Sequence, residues 1–177
     1  MTLYALTGTP GSGKTTLAAE LRLRGYDAID GKQFIIANGL MGDFDPGRDT
    51  HEVDPDALND ALSGLASDED IHIFESHLAH LMDCRAIIVL RCAPSVLAER
   101  LRARGYTEAK VLENVQSEIL DVILCEAMES DIPVYEVPCT DMGVGPMADA
   151  VEAILKGEVG DYLPGKTDWS EEMERWF

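Results

Sequence analysis

Basic residues are scarce in this chain. Of 177 residues, 14 are Lys or Arg against 33 Asp or Glu, a formal net charge of -19, and only five are lysines. Most of such a surface repels phosphates, which argues against unaided binding to a nucleic-acid backbone. A salty cell interior or a basic protein partner suits it. Also missing is any run of eighteen consecutive apolar residues, so no membrane span is expected. The N-terminus enters an apolar strand at once, and the reading is a soluble, cytoplasmic protein. Cys84, Cys92, Cys125 and Cys139 lack C-x-x-C spacing and lie in or beside apolar segments, which reads as reduced core residues and excludes a zinc-thiolate site. There is no internal repeat and no low-complexity tract.

What is present is a core-forming composition, 46% hydrophobic, of a length that makes one domain spanning 1–177. Strands are predicted at Leu3 to Leu6, Tyr26 to Ile29, Ile71 to Phe74, Ala86 to Leu90 and Val134 to Val137. Helices are predicted from Lys14 to Arg24, from the Asp30 cap to Ala37, from Asp54-Pro55 to Ala66, from Pro94 to Arg102 and from Gly145 to Leu155. A longer one follows the Thr107 cap, with Val111, Val115, Ile119, Val122 and Leu124 on one face. Asn38 to Glu52 reads as a loop. This alternation predicts an α/β fold, a five-stranded parallel sheet with helices on both faces and its ligand beyond the carboxyl ends of the strands.

Directly after the first strand comes Gly8-Thr9-Pro10-Gly11-Ser12-Gly13-Lys14-Thr15-Thr16, the pattern G-x-x-x-x-G-K-[ST] of a phosphate-binding loop. Glycines let backbone N–H groups turn in around a triphosphate, and the helix behind adds its positive end. Lys14 is expected at the β- and γ-phosphates, the Thr15 hydroxyl on Mg²⁺, and Thr16 near the α-phosphate. Glu75, at the end of the Ile71 to Phe74 strand, is the acid placed to hold Mg²⁺ through its water shell. His77 projects from the same rim. Arg91, Arg100, Arg102, Arg104 and Lys110 crowd around the turn Arg104-Gly105-Tyr106. Arg104 is read as closing over the triphosphate, and Arg102 as pairing with neighbouring glutamates. In the tail, Asp168-Trp169-Ser170-Glu171 has the pattern of a capping box, and Trp169 and Trp176 are expected to pin residues 157–177 onto the domain.

These motifs together resemble the adenylate kinase isoenzyme 6 family, small nucleoside monophosphate kinases with ATPase activity found in archaea and eukaryotes. The loop at Gly8 to Thr16, Glu75-Ser76-His77, Val89-Leu90-Arg91, Glu99-Arg100-Leu101, Arg104-Gly105-Tyr106, Lys110, Asn114, Gln116, Glu118-Ile119 and Asp168-Trp169-Ser170-Glu171 carry the likeness. Many members have Asp where this chain has Glu75. The resemblance implies a phosphate-loop NTPase fold with a short lid at 103–113 and a monophosphate-binding segment at 30–53. It implies ATP and Mg²⁺ at Gly11, Ser12, Gly13, Lys14, Thr15, Thr16, Glu75 and Arg104, with Lys14, His77 and Arg104 in the chemistry. It further implies phosphoryl transfer from ATP to AMP or another nucleoside monophosphate by a monomer, and ATP hydrolysis in late maturation of the small ribosomal subunit through transient binding of a basic ribosomal protein. Arg48, the arginine of the long loop, matches no family position. Two other readings remain open: a small-metabolite kinase on the same fold, and a chaperone-like ATPase switch with incidental kinase activity.

Overall fold

The computed structural model describes residues 2–45, 50–65 and 70–177. Arg48 and Ala66 lie outside them. Five strands form one parallel sheet: β1 (Thr2–Gly8), β2 (Asp27–Asp30), β5 (Ile71–Glu75), β6 (Ala86–Arg91) and β7 (Val134–Pro138), ordered β2-β5-β1-β6-β7. Between β2 and β5 the two-residue strands β3 (Phe44–Asp45) and β4 (Thr50–His51) pair antiparallel, so the predicted loop contains a small hairpin.

Side-chain alternation divides the core in two. Tyr4 and Leu6 of β1 face one layer, Leu3 and Ala5 the other, and every residue of β6 is buried because helices cover both its faces. The first layer is built on α1 (Lys14–Leu23), α4 (Pro94–Ala103), α5 (Glu108–Ile119) and α7 (Val144–Leu155). The second holds α2 (Gly31–Ala37), α3 (Pro55–Ser63) and α6 (Val122–Met128). Starts were set by caps readable in the sequence. Asp30 accepts from Gln33 N at 3.0 Å, Asp54 from Asp56 N at 3.0 Å, and Thr107 from Lys110 N at 3.3 Å.

Three expectations are corrected. The long helix predicted after Thr107 is two helices, because Asp121 takes the left-handed conformation (φ 54°) with its carboxylate on the guanidinium of Arg91. The break turns Cys125 of α6 outward, so it is exposed, while Cys92 and Cys139 are buried as expected and Cys84 is half-buried. Third, α3 ends at Ser63, short of the predicted Ala66.

The tail does pack on the domain. Trp176, in the short helix α8 (Met173–Trp176), is buried, and Trp169 packs half-buried against the first layer. Gln116 donates to Trp176 O at 2.7 Å, and Glu172 accepts from Ser95 N and Oγ at 3.0 and 3.1 Å at the start of α4.

Candidate active site

The sheet delivers the candidate residues to its carboxyl edge. Gly8 ends β1, Glu75 ends β5 one strand away, and Asp30 ends β2 in register with Glu75. Glycine is required at Gly8, where φ is +139° and a Cβ would meet Leu90 O at 2.7 Å. It is required at Gly13 too, where φ is +110°. Gly13 is also the N-cap of α1, and no described side chain caps that end, so its first N–H groups stay open toward the loop.

Lys14 is 7% exposed, and its ammonium donates to Gly8 O at 2.7 Å and Thr9 O at 3.2 Å. Burial lowers its pKa to about 8; Glu75 opposes that shift and Arg104 adds to it. Arg104 itself is exposed on the turn after α4. Thr15 Oγ1 donates to Glu75 Oε1 at 3.4 Å, and burial raises the pKa of Glu75 despite the attraction of Lys14.

His77 lies on the rim, exposed, with its backbone carbonyl accepting from Thr7 Oγ1 at 3.3 Å. Desolvation by the protein around it, then the charges of Lys14 and His80, push its pKa down to about 4. Its imidazole is therefore neutral at pH 7 and able to accept a hydrogen bond.

A triphosphate fits these residues. Ser12 Oγ is buried without a partner among the described residues, beside the open N–H groups of α1 and the Lys14 ammonium, and together they are donors awaiting an anion. The oxygens of Thr15 and Glu75 form the hard donor set that suits Mg²⁺. Thr16 is exposed on the first turn of α1.

The basic cluster divides by destination. Arg102 pairs with Glu108 through two contacts of 2.8 Å, as expected from spacing. Arg100 donates to Ser12 O at 3.4 Å and so touches the loop from α4. Arg91 is interior, 1% exposed, bound by Glu118 at 2.9 Å, by Glu136 at 2.5 Å and by Asp121. Sequence reasoning gave Glu118 no role at the loop, named Ser12 among the ATP-binding residues, and singled out Arg100 only as one of the crowded bases and part of the family motif.

Comparison with known proteins gives the chain's family and fold. The profile of the AAA domain family matches residues 5–121. A protein of Archaeoglobus fulgidus named "Putative adenylate kinase" is 41% identical over 175 residues, covering 97% of this chain and 94% of its own. Proteins of the same name from Methanothermobacter thermautotrophicus (43% over 170 residues, 95% and 97% covered) and Natronomonas pharaonis (41% over 171 residues, 96% and 98%) are similar to it as well. The chain belongs to this archaeal adenylate-kinase-like family. Among solved structures, a gluconokinase of Sinorhizobium meliloti (TM-score 0.55, 15% identical, 89% and 93% covered) shares its fold. So does a shikimate kinase of Bacteroides thetaiotaomicron (TM-score 0.55, 15% identical, 88% and 98% covered). The expected phosphate-loop NTPase fold is thus present, and the adenylate-kinase-like relatives support a phosphotransferase. Among the described residues no helix is long and apolar enough to cross a membrane.

Proposed function

We propose that this protein transfers the γ-phosphoryl group of ATP to AMP or another nucleoside monophosphate, and hydrolyses ATP as a second activity. The observation that carries the reading is the meeting of Lys14, the open end of α1 and the Thr15–Glu75 pair at one edge of the sheet. Adenylate-kinase-named relatives that align over nearly the whole chain narrow the acceptor to a nucleoside monophosphate.

In this reading the loop N–H groups and Lys14 grip the phosphates, and the donor Ser12 Oγ gains a partner. Thr15 and Glu75 hold Mg²⁺, which supplies charge neutralisation when bound. Arg104, on the 103–113 lid, spreads the charge of the group in transit. The acceptor phosphate is already anionic, so transfer to a monophosphate requires positioning more than a base. Water is a poorer nucleophile, and the neutral imidazole of His77 holds it in line for hydrolysis. Residues 30–53 are assigned to the monophosphate.

The acidic surface is complementary to a basic protein, which supports a role in small-ribosomal-subunit maturation through a transient ribosomal-protein partner. The deciding assay couples ADP formation to a chromogenic readout with and without AMP. AMP-dependent ADP formation supports the kinase reading; ATP consumption indifferent to every monophosphate tried overturns it.

A further inference from the structure

Glu118, at the C-terminal end of α5, is 4% exposed and surrounded by donors. Its Oε2 accepts from Thr9 Oγ1 at 2.5 Å. Its Oε1 accepts from Arg91 Nε at 2.9 Å, Cys92 N at 3.2 Å and Trp169 Nε1 at 3.3 Å. Among the described residues four donors meet it, three N–H groups on Oε1 and one hydroxyl on Oε2, and the carboxylate accepts from all of them at once.

Charge balance does not account for this residue. Arg91 also binds Asp121 and Glu136, so one guanidinium already meets two other carboxylates. What Glu118 adds is the reach to Thr9, 109 positions away in the chain. Thr9 is held on its other side by the loop itself, since its carbonyl accepts from Lys14 Nζ at 3.2 Å and from Ser12 N at 3.1 Å. Where Glu118 holds Thr9 therefore governs where the Lys14 ammonium rests. The helix that carries Glu118 at its last turn starts at Glu108, immediately after the Arg104 turn. One α-helix thus joins the two cations that would flank the transferring phosphoryl group.

We propose that Glu118 is a positioning residue. Through the Thr9 hydroxyl it registers α5, and with it the Arg104 turn, against the phosphate loop, and this register sets turnover more than ATP affinity. The proposal rests on the phosphotransfer reading above. Affinity comes from many loop N–H groups that bind phosphate in either register, whereas the spacing of Lys14 and Arg104 counts most when charge develops on the transferred group.

Thr9→Val removes the hydroxyl and nearly keeps the shape; Thr9→Ser keeps the hydroxyl. Thr9→Val is expected to lower kcat by about tenfold to a hundredfold, the scale of a small misplacement of reacting groups, with the KM for ATP changed by less than about threefold. Thr9→Ser should restore kcat to near wild type. Wild-type kcat in Thr9→Val, or an equal loss in Thr9→Ser, overturns the proposal. Amide hydrogen exchange with and without ADP supplies a readout apart from activity. In wild type and Thr9→Ser, ADP should protect residues 8–16 and 104–112; in Thr9→Val only the first segment. Protection of both segments in Thr9→Val overturns the coupling. If ADP protects nothing in the wild type, the nucleotide reading itself fails. The exchange of residues 8–13 without ADP then decides the Thr9–Glu118 link, faster in Thr9→Val alone supporting it and equal rates in all three proteins overturning it.

Discussion

Lys14 rests on Gly8. The 2.7 Å hydrogen bond from its ammonium to the Gly8 carbonyl means that the loop's own backbone holds its cation inside a desolvated pocket. Burial strips water from that charge, which is why its pKa falls to about 8 despite the pull of Glu75.

Entry of a polyanion raises that pKa again, so binding takes up a proton whenever the free protein has lost one. Below pH 8 Lys14 is already charged and affinity is flat. As pH climbs above 8, ATP affinity should fall by up to about tenfold per unit. Calorimetry near pH 8.5, in buffers of differing ionisation enthalpy, should register net proton uptake. Its absence places Lys14 away from the phosphates. Lys14→Ala should abolish transfer and hydrolysis alike while leaving the circular dichroism spectrum unchanged.

Arg104→Ala should lower kcat more than it weakens ATP binding, because in the proposed mechanism this exposed side chain acts on charge in transit. A drop of about tenfold to a thousandfold is expected from steady-state kinetics. An equal loss in affinity with kcat unchanged would make it a ground-state clamp.

In the proposed mechanism the neutral imidazole of His77 separates the two activities. His77→Gly should depress ATP hydrolysis by about tenfold to a hundredfold and transfer to AMP distinctly less. With a pKa near 4, protonation should not intervene between about pH 5.5 and 7.5. The ratio of wild-type to variant hydrolysis should therefore stay constant across that window. An inflection near pH 6.5 would indicate an ordinary solvated histidine.

Glu75 trades stability for its place. Burial raises its pKa, so the stability this group contributes is present in acid and is lost as pH rises through the raised value. At pH 7 Glu75→Gln should thus melt a few degrees higher than wild type in scanning calorimetry without nucleotide. The same variant should need far more Mg²⁺ for activity. A lower melting temperature together with an unchanged Mg²⁺ requirement would make Glu75 structural.

Arg91→Ala should cost about 3–5 kcal/mol of unfolding free energy, since it leaves Glu118 and Glu136 buried without their countercharge. Urea denaturation gives the value directly, and a loss under about 1 kcal/mol would show that the remaining donors satisfy those acids.

Local features were the most legible in the sequence. The phosphate loop, the caps at Asp30, Asp54 and Thr107, and the Arg102–Glu108 pair are decided by residues a few positions apart. The strands were found because apolar runs between helices must be covered on both faces. The break at Asp121 was hidden, since its cause is Arg91 on β6, 30 residues earlier. The same distance effect disguised Arg91 as one more member of a surface cluster and Glu118 as one more acid on a helix. Cys125 was expected inside because apolar residues flank it, but it lies exposed on α6, after the break.

The closing tail reaches back to α5 and β7. Gly165 N donates to Glu136 at 2.6 Å, Trp169 to Glu118 at 3.3 Å, and Trp176 meets Gln116. Synthesis runs from the N-terminus, so these bonds form only after residues 165–176 have left the ribosome. A nascent chain therefore carries its phosphate loop early and completes the support behind it last. In the laboratory, a purification tag fused directly after Phe177 sits beside that final latch, whereas one placed before Met1 emerges ahead of the whole fold.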